Sequence, residues 1–367
     1  MPTTAAILIS RQSRYPDGST GWVRHAALAV DWIRHRGYTL VSSVGLQTWE
    51  MITSLGSLAR LPMHLHVPCG AHDDPSRIDA DITAQFALDR RLVSFRWVTV
   101  DSTAISKHEL LQTRDRSVIG AADFLLPVAV RTGGSIESHI ATRRPDQLLD
   151  RSFHYDGQDR STVKGYVLEP DRLDPAVESA ARGFLIHWTR TSNGPWPGER
   201  AVDYYRDVVH STCYPRSALD TLLRIAHSRL LRPSARHMPG NTPTVSLSGL
   251  SPNDAVPLMR WRTRYGQMSF EPYGIGIRES AARRLSVVPV TYYDADNRPT
   301  GLRGDTWMTQ SRGRITDWRN ENEYRHRGDL NFSDLEPSDL RLFCRRPAEV
   351  PRLHDATGID TYALFSE

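Results

Sequence analysis

The chain has 367 residues, of which 39% are hydrophobic and 24% charged, so its composition is that of a soluble globular protein with about two or three domains. The sequence contains no run of eighteen or more apolar residues, so no membrane-spanning helix is expected. The N-terminus lacks the basic segment of a signal peptide, so no signal peptide is expected. The net charge of +4 is too small to indicate nucleic-acid binding by itself. Three widely spaced cysteines without a CxxC pair argue against a disulfide framework and a structural zinc. We therefore expect a cytoplasmic protein.

The first 150 residues alternate between short apolar runs and segments of helical periodicity. The strands are predicted at 5–9, 38–42, 62–68, 92–100 and 123–130. The helices are predicted at 21–36, 46–55, 78–88, 107–120 and from residue 135. This alternation predicts βαβ units and a Rossmann-like, mostly parallel sheet over residues 1–150. Because ligands bind at the carboxyl ends of such strands, loops 10–20, 42–48 and 131–137 are the candidate binding loops.

Two signatures in this half lie in or beside those loops. One is Ser42–Gly45, and the other runs from Arg114-Asp115 through Ala122-Asp123 to the Arg131–Glu137 turn. With them the first half resembles the DprA/LOG (SLOG) nucleotide-binding superfamily, in which an Arg-Lys pair, an Ala-Asp and a PGGxGTxxE turn mark nucleoside-monophosphate phosphoribohydrolases. Asp115 stands where that pattern has lysine.

This resemblance implies a set of nucleotide-binding residues. They are Ser43, Gly45, Arg114, Gly133, Gly134 and Glu137. A two-glycine turn that opens a helix offers main-chain N–H groups to a phosphate. The same turn is also compatible with a purely structural role, and both interpretations remain open.

The periodicity fades in the middle of the chain, where residues 146–149 are interpreted as the end of a helix and 153–155 as a strand. We place a linker at 151–182 and a second domain at 183–367. Its predicted strands are 183–190, 244–248, 273–277 and 287–293, and its predicted helices include 201–211 and 215–230. The irregular strand spacing predicts an α+β domain rather than βαβ units.

The stretch 317–330 interleaves acids, bases and aromatic residues more densely than the rest of the chain. Carboxylates, guanidinium groups and aromatic rings are what a nucleotide site uses for ribose hydroxyls, phosphates and base stacking. They are equally what a structural ion-pair cluster uses. The stretch is therefore either one side of a nucleotide site or a stabilising cluster.

Five elements of the second half carry another resemblance. They are 187–189, 230–234, 245–248, 259–266 with 273–275, and 318–325. In this order they resemble an uncharacterised bacterial family found near phage-defence genes, which carries a W-x-x-E-x-E-[WY]-R element. Its pattern is similar to a diverged ADP-ribosyltransferase fold.

The second resemblance implies chemistry at a ribose–base bond, with NAD or another nucleotide as the bound cofactor or substrate. Such cleavage passes through an oxocarbenium-like centre that a carboxylate stabilises. The implied catalytic residues are Glu323, Glu321, His187 and Thr189. The implied substrate-binding residues are Arg260, Arg264, Tyr265, Trp318 and Arg325.

Three functions remain open: an enzyme acting at an N-glycosidic bond, a protein that modifies DNA or a nucleobase, and an inactive nucleotide sensor or adaptor. The expected partners are a nucleotide or nucleic acid, proteins of a defence or DNA-modification system, and a second copy in a homodimer. No metal is predicted, because HExxH is absent and the His64-x-His66 pair stands alone. No GxSxG elbow or P-loop occurs either.

Overall fold

The computed structural model describes residues 2–99, 106–157, 168–235, 238, 241–263, 266–294, 306–312 and 318–366. The side chains of Lys107, Pro170 and Trp318 are not described. Two predicted substrate-binding residues, Arg264 and Tyr265, lie outside the described residues.

The described elements follow in chain order. The helices are α1 (Gly21–Arg36), α2 (Gln47–Leu58), α3 (Pro75–Gln85), α4 (Lys107–Ala121), α5 (Ser135–Ala141), α6 (Pro175–Ala181), α7 (Ala201–His210), α8 (Ala218–Ser228), α9 (Pro252–Ala255), α10 (Glu279–Arg284) and α11 (Val350–Thr357). The first ten strands are β1 (Thr4–Ile9), β2 (Thr39–Ser43), β3 (Met63–Pro68), β4 (Val93–Val98), β5 (Phe124–Ala129), β6 (Leu148–Leu149), β7 (Phe184–Trp188), β8 (Leu230–Leu231), β9 (Thr244–Ser248) and β10 (Trp261–Arg262). The others are β11 (Gln267–Met268), β12 (Gly274–Arg278), β13 (Val288–Pro289), β14 (Thr291–Tyr293), β15 (Thr309–Ser311), β16 (Glu323–Arg327), β17 (Leu330–Asn331), β18 (Leu340–Cys344) and β19 (Thr361–Ala363).

The chain divides into two compact units. Unit 1 comprises Met1–Thr162 and Asn193–Pro215, and unit 2 comprises Val163–Ser192 and Arg216–Glu367. The sequence analysis placed the helix over 201–211 in the second domain, whereas α7 belongs to unit 1. Its apolar face, with Tyr204 and Tyr205, is buried in the unit 1 core, and the Tyr205 hydroxyl donates to Glu50 Oε2 at 3.0 Å. Periodicity identifies the buried face of a helix but not the core that it joins.

Unit 1 contains a six-stranded parallel sheet in the order β4-β3-β2-β1-β5-β6. This confirms the predicted Rossmann-like parallel sheet. Strand order reverses between β1 and β5, so the loops after these two strands flank the crevice where ligands of open α/β sheets bind. Helix α1 spans the predicted residues and ends at Gly37, whose φ of 64° is the left-handed conformation of a helix C-cap.

Two predictions for the end of this unit were wrong. Residues 146–149 do not finish a helix, because Leu148–Leu149 pairs with β5 and the buried Gln147 side chain donates to the carbonyls of Ile119 and Ala122. Residues 153–155 form no strand. The Phe153 ring instead packs edge-on against Trp32, with ring centroids 6.0 Å apart.

Two helical glycines of unit 1 differ in the space around them. A Cβ at Gly56 in α2 would lie 2.6 Å from Leu40 Cδ2 and 2.7 Å from Met63 Sδ, whereas one at Gly120 in α4 would meet no atom within 4 Å. We expect Gly56→Ala to lower the free energy of unfolding by about 1–3 kcal/mol through overpacking. Gly120→Ala, the matched control, should raise it by about 0.5–1 kcal/mol. Urea unfolding of both variants checks this, and shifts of the same sign would contradict it.

His66 on β3 is buried, and its Nδ1 lies 2.8 Å from Ser117 Oγ. Burial lowers the pKa of His66 to about 4, and the charge of Arg96 acts in the same direction. The unfolded chain therefore binds more protons than the folded one between about pH 6.5 and pH 4, so stability is lost as the pH falls through this window. We expect a slope of at most about 1.4 kcal/mol per pH unit from this residue.

Thermal unfolding across that pH range measures the effect. His66→Gln should flatten the slope, whereas His64→Gln controls for loss of a histidine two residues away on the same strand. Identical slopes for the wild type and His66→Gln would show that the imidazole does not stay neutral in the folded state.

Unit 2 contains a seven-stranded sheet in the order β13-β16-β9-β7-β12-β18-β19, antiparallel except for the β18–β19 pair. The predicted α+β character of this half is confirmed, whereas its ADP-ribosyltransferase likeness stays a prediction. One face packs Leu185 and Ile275 into the core that includes α8 and α11 residues. The other face packs Ile186 and Trp188 against α6 and α9.

The centre of this sheet is weakly paired. Strands β7 and β9 share the single pair Ile186↔Ser248, whereas β9 and β16 share five pairs, from Glu323↔Ser248 to Arg327↔Thr244. Opposed residues of neighbouring strands point to the same face, and side chains alternate along each strand. The side chain of Glu323 therefore lies on the face of Ile186 and Ser248.

Candidate functional site

Glu323 opens β16 and is held by two side chains. Its Oε1 accepts hydrogen bonds from Ser246 Oγ at 2.6 Å and Arg325 Nε at 2.9 Å, and its Oε2 accepts one from Arg325 Nη2 at 2.7 Å. The Glu323–Arg325 contact is thus a two-point ion pair, with side chains 15% and 3% exposed. Such forked pairs fix orientation as well as charge. The carboxylate is therefore held in one place.

Glu321 precedes β16, in the single helical turn Trp318–Glu321. Burial raises the pKa of its carboxyl, the negative charge of Glu323 adds to the rise, and the positive charges of Arg262, Arg325 and Arg260 act in the opposite direction. Its main-chain carbonyl accepts a hydrogen bond from Ser248 Oγ at 2.8 Å. Neighbouring carboxyl groups in such unequal surroundings are suited to different roles in acid–base chemistry.

A tyrosine borders the same pair. The hydroxyl oxygen of Tyr292 on β14 accepts the main-chain N–H of Glu323 at 3.2 Å. Burial raises the pKa of Tyr292, and the negative charges of Glu323 and Glu321 act in the same direction. We call Glu321, Glu323, Ser246, Tyr292 and Arg325 the carboxylate site.

Two arginines belong to the neighbourhood of this site: Arg260, which the second resemblance implies as a substrate-binding residue, and Arg262, which was not predicted. Arg260 is exposed and Arg262 is half-buried in β10. Both act on the pKa of Glu321, so their guanidinium groups lie within electrostatic reach of its carboxyl. Of the other predicted substrate contacts, Trp318 contributes a described backbone only.

His187 on β7 lies close to the carboxylate site without entering it. Its Nδ1 donates to the main-chain carbonyl of Ser246 at 2.8 Å, since a carbonyl can only accept. Burial lowers the pKa of His187, which favours the neutral form of the ring. Strand alternation directs His187 to the face opposite Glu323. The structure therefore connects the two predicted catalytic residues through Ser246 rather than placing them on one face.

Thr189 is buried at 3% exposure. Its hydroxyl lies 3.1 Å from the carbonyl of Ala218 and 3.2 Å from that of Tyr273, and one hydrogen is shared between them. The single hydroxyl hydrogen of this implied catalytic residue is thus committed to main-chain carbonyls. Thr189 joins the end of β7 to its neighbours.

In unit 1, Arg114 is fully buried. Its Nε and Nη2 donate to Asp115 Oδ1 at 3.0 and 2.7 Å, and its Nη1 donates to the carbonyl of Val44 at 2.9 Å. Trp49 Nε1 donates to the same Asp115 oxygen at 3.0 Å. This places the predicted nucleotide-binding arginine in a buried ion pair that supports the loop after β2.

The remaining predicted residues of unit 1 lie at the carboxyl end of β2 or between β5 and the first turns of α5. Ser43 is buried, and its hydroxyl donates to the carbonyl of His66 at 2.6 Å. Gly45 and Gly133 have φ of 90° and 73°, which favours glycine. The N–H of Gly133 donates to Glu137 Oε2 at 2.6 Å, so a carboxylate occupies the donor that a phosphate would use. Gly134 is the N-cap residue of α5.

The sequence analysis missed two members of the carboxylate site, Ser246 and Tyr292. It also missed Gln310, whose Oε1 accepts a hydrogen bond from Arg325. Ser246 and Ser248 are two residues apart on one strand, so the sequence already indicated that both hydroxyl groups lie on the same face. Nothing in the sequence links Gln310 or Tyr292 to a glutamate at position 323.

Within the described ranges, no three His, Cys, Asp or Glu side chains come together in a way that would hold a metal ion. None of the helices described for this chain is both long and apolar enough to cross a bilayer.

The chain is similar to a solved structure of a DNA-binding protein. No family profile and no curated protein sequence matches the chain. DNA processing protein A from Helicobacter pylori, solved in a study of its single-stranded DNA binding mode, is 17% identical in sequence, with a TM-score of 0.28. The match covers 38% of this chain and 60% of that one. The parallel sheet of unit 1 agrees with the fold that the first-half resemblance implies.

Proposed function

We propose that unit 2 is an enzyme that breaks the N-glycosidic bond between ribose and base in NAD or another nucleotide. The observation that carries this proposal is the unequal carboxyl pair: Glu323 is fixed in an ion pair with Arg325, and Glu321 has a raised pKa. Cleavage at an anomeric carbon uses one carboxylate to stabilise positive charge and another group to move a proton.

In the proposed step, the bond between C1′ and the base nitrogen breaks, and its electron pair leaves with the base. Nicotinamide leaves NAD as a neutral molecule, whereas the base of a nucleoside monophosphate leaves as an anion and takes up the proton that Glu321 receives from the attacking group. The Glu323 carboxylate stabilises the oxocarbenium ion that remains on the ribose. A water molecule or an acceptor hydroxyl then attacks C1′ and gives its proton to ionised Glu321. The charges of Arg260 and Arg262 suit the phosphate groups of the substrate.

This assignment fixes the sign of the pH dependence. Glu321 accepts a proton only when ionised, so turnover falls as the pH falls through its raised pKa. Glu321→Gln should lower turnover and remove this acidic limb.

The direct test incubates the purified protein with NAD and with nucleoside monophosphates and follows release of nicotinamide or free base by chromatography. Release by the wild type and its loss in Glu323→Gln would support the proposal. Equal, negligible release by both across the panel would contradict it, and steeply salt-dependent nucleic-acid binding would then favour a nucleic-acid modification protein.

For unit 1 we propose binding of a nucleotide without a reaction. We propose that the crevice between the loops after β1 and β5 binds a nucleotide, as the first-half resemblance implies. Its support is the reversal of strand order at this point. A phosphate there would have to displace Glu137 from the N–H of Gly133.

A further inference from the structure

Arg325 has every N–H donor bonded within unit 2. A guanidinium group has five such donors. Two donate to Glu323, two donate to the carbonyls of Trp307 at 2.8 Å and Thr309 at 3.2 Å, and one donates to Gln310 Oε1 at 2.9 Å. No donor remains for a substrate phosphate, and the side chain is 3% exposed.

These bonds connect two parts of the chain that are distant in sequence. The segment 306–312 contains the single turn Thr306–Met308 and β15, which pairs with β14. Strand β14 also carries Tyr292, the acceptor of the Glu323 N–H. The side chain of Glu323 and its main chain are therefore both held by this part of the fold. We call Glu323, Arg325, Trp307, Thr309 and Gln310 the Arg325 network.

We propose that Arg325 and Gln310 are positioning residues that aim the Glu323 carboxylate, rather than residues that bind substrate. This inference rests on the proposed function for its catalytic meaning. Gln310 gives the network its one side-chain acceptor besides Glu323. Without it, one Nη2 hydrogen loses its partner, and four hydrogen bonds instead of five fix the orientation of the planar fork towards the Glu323 oxygens.

Kinetics provide the first test. Gln310→Leu should lower kcat about tenfold with KM nearly unchanged, since it disturbs orientation and not binding. Gln310→Glu, which keeps an acceptor oxygen, should restore most of kcat. Arg325→Lys keeps the charge but loses the fork, so it should lower kcat without raising KM. A rise in KM with unchanged kcat in Arg325→Lys would instead assign Arg325 to substrate binding and overturn the inference.

The matched control is Arg312→Gln, at the end of the same segment. Arg312 pairs with Asp294 at 2.8 Å through half-exposed side chains, outside the network. Kinetic constants of this variant should equal those of the wild type. A loss of kcat equal to that of Gln310→Leu would show that any disturbance of the segment suffices, which would remove the specific role of Gln310.

A second measurement separates this inference from the proposed function. Thermal unfolding of Gln310→Leu, Glu323→Gln and the double variant forms a cycle that needs no enzymatic activity. Non-additive shifts in Tm support the connection between the two residues through Arg325, even if no substrate is cleaved and the proposed function fails. Additive shifts overturn the connection, whatever the activity of the wild type.

Discussion

Glu323→Gln should lower base release by roughly 10²–10³-fold, the loss typical for removal of a fixed charge beside a transition state. Glutamine keeps the shape of the side chain and an oxygen that accepts from Ser246. It lacks the negative charge that the oxocarbenium ion requires. Single-turnover kinetics at saturating NAD, or at the nucleotide that the wild type cleaves, measure the change in the chemical step.

Two controls make this result specific. Glu279→Gln removes a carboxylate from an exposed helical ion pair with Arg283 and should leave turnover unchanged. Circular dichroism and Tm should show that Glu323→Gln remains folded, since Arg325 keeps its bonds to Trp307, Thr309 and Gln310. A folded variant that retains full turnover would remove Glu323 from the catalytic site.

The sequence identified this glutamate for a partly different reason. Residues two apart, such as Glu321 and Glu323, would share one face of an extended strand. In the structure Glu323 begins β16, Glu321 ends a helical turn, and Asn322 between them has a φ of 41°. Left-handed asparagine is common at such changes of direction, but composition alone does not predict it. The unequal surroundings of the two acids arise from this break.

The sequence predicted local elements of the fold but not the contacts between residues that are distant in the chain. Unit 1 was predictable because the strand–helix alternation is local and each strand pairs beside its sequence neighbour, apart from the reversal at β5. The carboxylate site is not local. Ser246 lies 77 residues from Glu323, and Gln310 lies 15 residues from Arg325. Hydrophobic periodicity does not predict contacts between side chains so far apart in the sequence. The dense charges of 317–330 were equally compatible with a structural ion-pair cluster and with a nucleotide site.

The ion-pair interpretation of that stretch holds for Glu323 and Arg325, whereas the nucleotide-site interpretation stays a prediction. Arg325 stabilises the fold and fixes Glu323 at the same time, so the structural ion pair is also the support of the candidate catalytic carboxylate. A buried charge pair by itself is weak evidence for stability, because desolvation offsets most of its attraction. Its geometric effect is larger: a planar fork with five satisfied donors permits one orientation of the carboxylate.

Arg114→Met should lower the free energy of unfolding by about 3–5 kcal/mol, because it leaves Asp115 charged and without its cation inside the core. Arg114 is fully buried, Asp115 is 6% exposed, and only the Trp49 N–H would remain bonded to the carboxylate. Guanidinium denaturation with far-UV circular dichroism measures the loss. The double variant Arg114→Met/Asp115→Asn should recover most of it, since asparagine keeps an acceptor for Trp49 without the charge.

This cycle also decides between the two roles of Arg114. If Arg114 contacts a nucleotide phosphate, as the DprA/LOG resemblance implies, Arg114→Met weakens nucleotide binding while stability changes little and Asp115→Asn gives no rescue. If the buried ion pair is its role, stability falls and the second substitution restores it. The structure favours the ion pair because Asp115, which stands where the resembling family has lysine, binds two Arg114 nitrogens. Asp115 thereby holds the Arg114 guanidinium group inside the core.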